Sequence, residues 1–253
     1  MSRLRKSRSL KRVTGGVKTG SKERTKLENK QRKAKQKAAN PVKSNRQRSV
    51  YQRFLDENEL VEVQEHESYV SRAAYKLKYF LEELKLDLKG LVCLDIGSST
   101  GGFTQVLLQN DVFSVDAVDV GKGQLHRSIR EDTRVQSHES CDIRIFKSDK
   151  AYDLVVSDVS FISLLHILDE VDRLASSKII LLFKPQFEVG REVKRDKHGV
   201  VLDNKAIVSA MKIFEIKCEE KGWILREKSP SKITGKEGNL EYCYYFEKEM
   251  TIL

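Results

Sequence analysis

The sequence predicts an α/β fold: a mostly parallel, doubly wound sheet of seven strands whose last strand is antiparallel. Three observations carry this reading. Apolar runs of strand length recur from residue 91 to residue 246, and stretches with helical apolar spacing lie between most of them. The final two runs are joined by SPSKITGKEGN (229–239), which contains no helix. A helical crossover returns the chain to start a parallel strand, whereas a bare loop turns it round.

In order, SRAAYKLKYFLEELK (71–85) reads as a helix with Ser71 at the N-cap. It carries Ala73, Ala74, Leu77, Phe80, Leu81 and Leu84 on one stripe. Strands are expected at 91–96, 113–118, weakly at 134–136, then at 153–157, 178–183, 223–227 and 241–246. Helices are expected at 102–109, 122–131, 163–175 and 204–221. The sequence shows no internal repeat.

A chain of 253 residues suffices for one sizeable domain plus extras. The formal charge of +10 is unevenly placed. Residues 1–50 hold 18 Lys/Arg against 2 Glu, and residues 51–253 hold 29 against 35 Asp/Glu. The chain therefore divides into a basic arm (1–50), expected to be disordered in isolation, a connector (51–69), and a mildly acidic domain (70–253). Such an arm is the electrostatic footprint of a polyanion binder, with nucleic acid favoured. The longest uninterrupted aliphatic and aromatic run, 179–183, is too short to span a bilayer, and the basic N-terminus lacks the apolar segment of a secretory signal. A cytoplasmic protein is expected. Cys93, Cys141, Cys218 and Cys243 are scattered and read as small core residues, and no His/Cys/Asp cluster has metal-ligand spacing.

The stretch LDIGSSTGG (94–102) joins the first strand to the following helix through a glycine-rich turn. Gly97 is followed at the fifth position by Gly102 and then by Phe103, so the lysine of a phosphate-cradling loop is missing. Position 99 is serine, which removes the middle glycine of a dinucleotide site. An uncharged or zwitterionic ligand remains. The second strand ends in Asp119, placed to accept hydrogen bonds from ribose hydroxyls, and Asp142 follows the weak third strand, placed to accept from an exocyclic amine. A nucleoside without phosphates beside a glycine-rich turn points to S-adenosylmethionine. In open α/β sheets, ligands bind outside the carboxyl ends of the strands. Asp158 closes YDLVVSD, Lys184 closes KIILLFKP, and Glu241 starts an antiparallel last strand, which puts all three on one edge.

LDIGSSTGGFTQ, DVGKGQL, SDVSFISL, FKPQFEVGR and ITGKEGNLEY together resemble the TlyA-type, hemolysin A-like branch of the FtsJ-like ribose methyltransferases over residues 70–247. The resemblance implies a Rossmann-like, S-adenosylmethionine-dependent methyltransferase fold and methylation of ribosomal RNA ribose 2′-hydroxyls. It also implies a Lys-Asp-Lys-Glu tetrad, which by motif position falls on Lys76, Asp158, Lys184 and Glu241. Lys76 alone would read as a surface lysine. The residues expected to contact the methyl donor are Asp95, Gly97, Ser98, Ser99, Thr100, Gly101, Gly102, Phe103, Asp119, Val120, Asp142, Ile143 and Asp158. By the same resemblance Lys184 is the base and Asp158 lies nearest the transferred methyl group. Lys76 and Lys184, as neighbouring cations, are expected to ease each other's deprotonation. The stretch 185–201, PQFEVGREVKRDKHGVV, is expected to form an active-site loop that orders over RNA.

The family usually begins with a compact S4-like RNA-binding domain, whose apolar periodicity is missing from residues 1–50. The arm would take its place through phosphate contacts. Two other function classes compete: a non-catalytic RNA-binding or ribosome-assembly protein with this fold, against which the full tetrad argues, and a membrane-lytic protein, which a chain without an apolar-faced basic helix does not favour.

Overall fold

The computed structural model describes residues 69–249. The basic arm expected at 1–50, and all of the connector except its last residue, lie outside them. In chain order the described elements begin with α1 (Ala73–Leu84), β1 (Val92–Ile96), α2 (Gly102–Gln109), β2 (Ser114–Val118), α3 (Arg127–Arg130) and β3 (Val135–His138). Then come β4 (Tyr152–Ser157), α4 (Leu168–Leu174), β5 (Ala175–Phe183), α5 (Pro185–Glu188), α6 (Asn204–Glu219), β6 (Trp223–Pro230) and β7 (Tyr242–Lys248).

One seven-stranded sheet runs in the order β3-β2-β1-β4-β5-β7-β6. The β1–β2, β1–β4, β2–β3 and β4–β5 pairs are parallel. β7 inserts antiparallel between β5 and β6, with Phe183 opposite Tyr242. Its start therefore lies at the carboxyl ends of the parallel strands. Strand order reverses between β1 and β4, which opens the crevice where this class of sheet takes its ligands.

The pleat sends successive side chains to opposite faces, and each face has its own core. On one side Leu154, Val156, Ile180, Leu182 and Cys243 pack under α1 and α2. On the other, Val155, Ile179, Leu181, Phe183, Tyr244 and Phe246 pack against α4 and α6, with Phe214 inside a cluster of aromatic rings. Strands covered on both faces read as continuous apolar runs, which is how β4 and β5 appear in the sequence.

Three local expectations are corrected. The helix expected at 122–131 shrinks to α3. Gly121 and Gly123 (φ +67°) open its start into a turn, which is held by Glu139 accepting from the Gln124 and Leu125 amides. The helix expected at 163–175 is broken into a 3-10 turn (Leu164–His166) and α4, while Ala175 already begins β5. Ser163 and Glu188 explain the break: the Glu188 carboxylate accepts from the Ser163 hydroxyl and the Leu164 amide, which ties this turn to α5. Ser71 does not cap α1. The cap residue is Arg72 with no side-chain bond, and Ser71 lies against Gly102, where an added Cβ would sit 2.2 Å from Ser71 Oγ and 3.0 Å from Ala74 N. Glycine at 102 therefore lets the first turns of α1 and α2 touch.

Candidate active site

The glycine-rich turn after β1 spends its own amides. Gly97 N and Ser98 N both donate to Val118 O, at 2.8 and 3.2 Å, and Gly101 N donates to Ser98 O at 2.7 Å. Ser99 N donates to Asp119 Oδ2 at 2.9 Å. Gly97 and Gly101 reach this path with φ of +81° and +94°. Four amides of the turn are thus committed internally and are not open to a phosphate, as the amides of an anion-binding nest would be. Asp95, beneath it, is fully buried. Its Oδ2 accepts from Thr104 Oγ1 at 2.6 Å and its Oδ1 meets no donor. Burial pushes this carboxyl up to about 7.

Beside the turn lies a cavity of about 650 Å³, inside the range of small-molecule sites. Gly97, Ser99, Asp119, Val120, Asp142 and Ile143 line it, and Asp158 stands at its inner end. A smaller cavity of about 180 Å³ shares Gly97, Ser99, Asp158 and Ser160 with it and is lined also by Ser98, Thr100, Gly102, Phe103 and Lys184. Of the residues expected to contact a methyl donor, Asp95 sits underneath the turn and Gly101 packs toward Leu125, while the rest line these two spaces. Asp119 also receives Gly121 N on Oδ1 at 2.6 Å, and a carboxylate so engaged still has lone pairs for two hydroxyls. Asp142 takes the turn-forming part: it caps the 3-10 turn Ile143–Ile145, and Arg144 engages both its oxygens and holds it below the ordinary carboxylate range.

Lys76 from α1, Asp158 after β4, Lys184 after β5 and Glu241 before β7 meet at the carboxyl edge of the sheet. They form two ion pairs, Lys76 Nζ to Glu241 Oε2 and Lys184 Nζ to Asp158 Oδ1, each at 2.6 Å. Lys76, Lys184 and Glu241 are 8, 6 and 2 % exposed, so these charges sit where water screens them little. Lys184 Nζ also donates to Ser160 Oγ at 2.8 Å. The expectation that the two lysines ease each other's deprotonation fails for Lys76. Burial does press it toward the neutral form, but Asp158 and Glu241 outweigh burial and hold it above the ordinary lysine value. The reason is pairing: each cation faces a carboxylate at closer range than the other cation.

Sequence reasoning missed three residues around the tetrad. Gln186 Nε2 donates to Glu241 Oε1 at 3.1 Å, which occupies the oxygen that Lys76 leaves open. Gly235 lies so close that an added Cβ would be 2.6 Å from Glu241 Oε1. Phe161, 92 % exposed with φ +66°, stands at the mouth of the large cavity 5.3 Å from the ring of Phe187. All three lie inside quoted motifs, but no periodicity singles out a glutamine, a glycine or an exposed ring.

The stretch 185–201 is already built by its own hydrogen bonds. Arg195 gathers the carbonyls of Gln186, Gly190, Arg191 and Val193, and Asp196 accepts from His198 N and Val200 N. Asn239 accepts from Val201 N and donates to Gly199 O, which clamps this loop to the one that precedes β7. Arg191, Lys194 and Lys197 remain exposed on its outer side. Among the described residues no helix is long and apolar enough to cross a membrane.

The sequence pattern of the FtsJ-like methyltransferases matches residues 69–248. The chain is 54 % identical over 182 residues to the 23S rRNA (cytidine-2′-O)-methyltransferase TlyA of Campylobacter jejuni, a match covering 72 % of each chain. It is 39 % identical over 187 residues to the 16S/23S rRNA (cytidine-2′-O)-methyltransferase TlyA of Mycobacterium tuberculosis, covering 72 % of this chain and 69 % of that one. Among solved structures, a protein of Lactococcus lactis described as a hemolysin superposes with a TM-score of 0.67 at 37 % identity, over 72 % of this chain and 89 % of that one.

Proposed function

Because the chain belongs to the FtsJ-like methyltransferase family, we propose that it transfers a methyl group from S-adenosylmethionine to a ribose 2′-hydroxyl of ribosomal RNA. The observation that carries the reading is the wall that two cavities share, formed by Gly97, Ser99, Asp158 and Ser160. Asp158 lines both the cavity beside the glycine-rich turn and the smaller one that Lys184 lines, so a nucleoside donor and a proton acceptor can meet at one carboxylate. The residues present fit that donor. Four amides of the turn are already engaged within the protein, Asp119 is available to ribose hydroxyls, and Val120, Ile143 and Val159 offer apolar walls to a base.

The bound donor supplies a methyl group already activated on a positively charged sulfur. The protein's part is to hold the acceptor hydroxyl in line and to take its proton. Lys184 Nζ is the base in this reading, steadied by Asp158 and Ser160. Lys76 is paired with Glu241, which with Asp158 holds it charged. Phe161 presents a free aromatic face at the mouth, the kind of surface on which an unstacked nucleobase rests. The exposed cations of residues 185–201, together with the basic arm, supply phosphate contacts that position RNA without reading its sequence. Because the loop is prefolded, RNA docks on it instead of ordering it. The protein works in the cytoplasm, where ribosomal RNA is assembled. Mapping 2′-O-methylation across ribosomal RNA from cells with and without the protein tests the proposal: at least one ribose methyl must disappear with the protein, and an unchanged map rejects it.

A further inference from the structure

Gln186 touches the tetrad yet has no acid–base chemistry of its own. Its amide orientation is set by its partner, because a carboxylate only accepts and Nε2 must therefore face Glu241 Oε1. Glu241 is then held on both oxygens, by Lys76 on one side and Gln186 on the other. The main-chain carbonyl of Gln186 accepts from Arg195 at 3.3 Å, and Arg195 also carries the carbonyls of Gly190, Arg191 and Val193. One residue thus joins the prefolded loop, whose outer side carries exposed cations, to the inner end of the ion-pair network.

We propose that Gln186 is a positioning residue for methyl transfer: it holds the Glu241 carboxylate, and through it the Lys76 ammonium, in the register the reaction needs, and it ties that register to the 190–201 loop. The proposal rests on the methyltransferase reading above. Glutamine suits the position where glutamate does not. An acid there would put two carboxylates about 3 Å apart, and such a pair keeps one shared proton until the pH is high enough to remove it.

That difference supplies a readout that a packing role would not move. Turnover is measured on purified bacterial ribosomal subunits with isotopically labelled methyl donor, across a pH series, for wild type, Gln186→Leu and Gln186→Glu. Gln186→Leu should lower turnover about tenfold at every pH, the size expected for a lost hydrogen bond to a charged group, while donor affinity stays within about twofold. Gln186→Glu should approach wild type at low pH, where the shared proton restores a donor to Glu241. It should fall about tenfold or more below wild type as the pH rises and that proton leaves. The titratable groups around Glu241 are Lys76 and Glu83 from α1, Asp158 after β4 and Cys243 on β7, with Lys184 beyond Asp158. They are present in all three proteins, so the ratio of variant to wild-type turnover removes their titration. A ratio for Gln186→Glu that is flat with pH, or wild-type turnover in Gln186→Leu, overturns the proposal. If Gln186→Leu does not fold, the near-isosteric Gln186→Glu decides alone. A wild-type protein that transfers no methyl group would instead count against the function itself.

Discussion

Gly235→Ala is a one-carbon change aimed at a single carboxylate. Glycine at 235 has an ordinary negative φ, so alanine meets no backbone strain there. Its Cβ, however, would lie 2.6 Å from Glu241 Oε1 and 3.3 Å from Glu241 Cδ, where ordinary contact begins at 3.4 Å. The nearer contact is about 0.8 Å too short. Residue 235 cannot retreat freely, because its amide donates to Asn239 O and its carbonyl accepts from Gly238 N, both at 2.9 Å. Glu241 must therefore yield, against Lys76 at 2.6 Å and Gln186 at 3.1 Å. A displacement near 1 Å in a catalytic constellation costs on the order of 10²-fold in rate, so turnover should fall roughly 10- to 100-fold. The overpacking should cost about 1–3 kcal/mol of stability. Donor affinity, measured by isothermal titration, should not change, because Gly235 lines neither cavity beside the turn. Steady-state methyl transfer to ribosomal subunits is the assay. Wild-type turnover in this variant would refute the claim that the position of Glu241 matters to the reaction.

Four further outcomes are expected. Lys184→Ala should abolish methyl transfer and leave donor binding nearly intact, as titration calorimetry would show. Asp95→Asn should flatten the pH dependence of melting in the donor-free protein. Burial raises the folded-state value of Asp95 to about 7, so the folded chain holds a proton that the unfolded chain releases between about pH 4 and 7, and stability falls as pH rises through that window. Phe161→Gly should raise the melting temperature slightly, by relieving the φ of +66° at a cost of little burial, while turnover on RNA drops. Tyr152→Phe should destabilise by about 1–3 kcal/mol in denaturant titration, because it strips the hydroxyl that donates to the buried carboxylate of Asp116.

Much of the fold was legible in the sequence, because strands covered on both faces, such as β4 and β5, show as continuous apolar runs. The missing helix between β6 and β7 predicted that β7 is antiparallel, but not that it lies between β5 and β6. The misreadings came where a side chain overrode periodicity. Glu188 takes the Leu164 amide and splits the 163–175 segment, and Glu139 takes two amides where helix 122–131 was to begin. At the site, the sheet edge was readable from Asp158, Lys184 and Glu241 because charges that end apolar strands are conspicuous. Lys76 needed the family resemblance. How the tetrad pairs was not readable, since which carboxylate each lysine meets is decided by β7 lying antiparallel beside β5. Gln186 and Gly235 act through contacts between loops far apart in sequence, and spacing carries no trace of those.

The most direct test is the chemical identity of the product. Ribosomal subunits treated with the protein and labelled methyl donor are digested to nucleosides and resolved by mass spectrometry, with Lys184→Ala in parallel. The predicted result is label on a ribose 2′-oxygen with wild type and none with the variant. Label on a nucleobase, or equal labelling by Lys184→Ala, would contradict the assignment of this site.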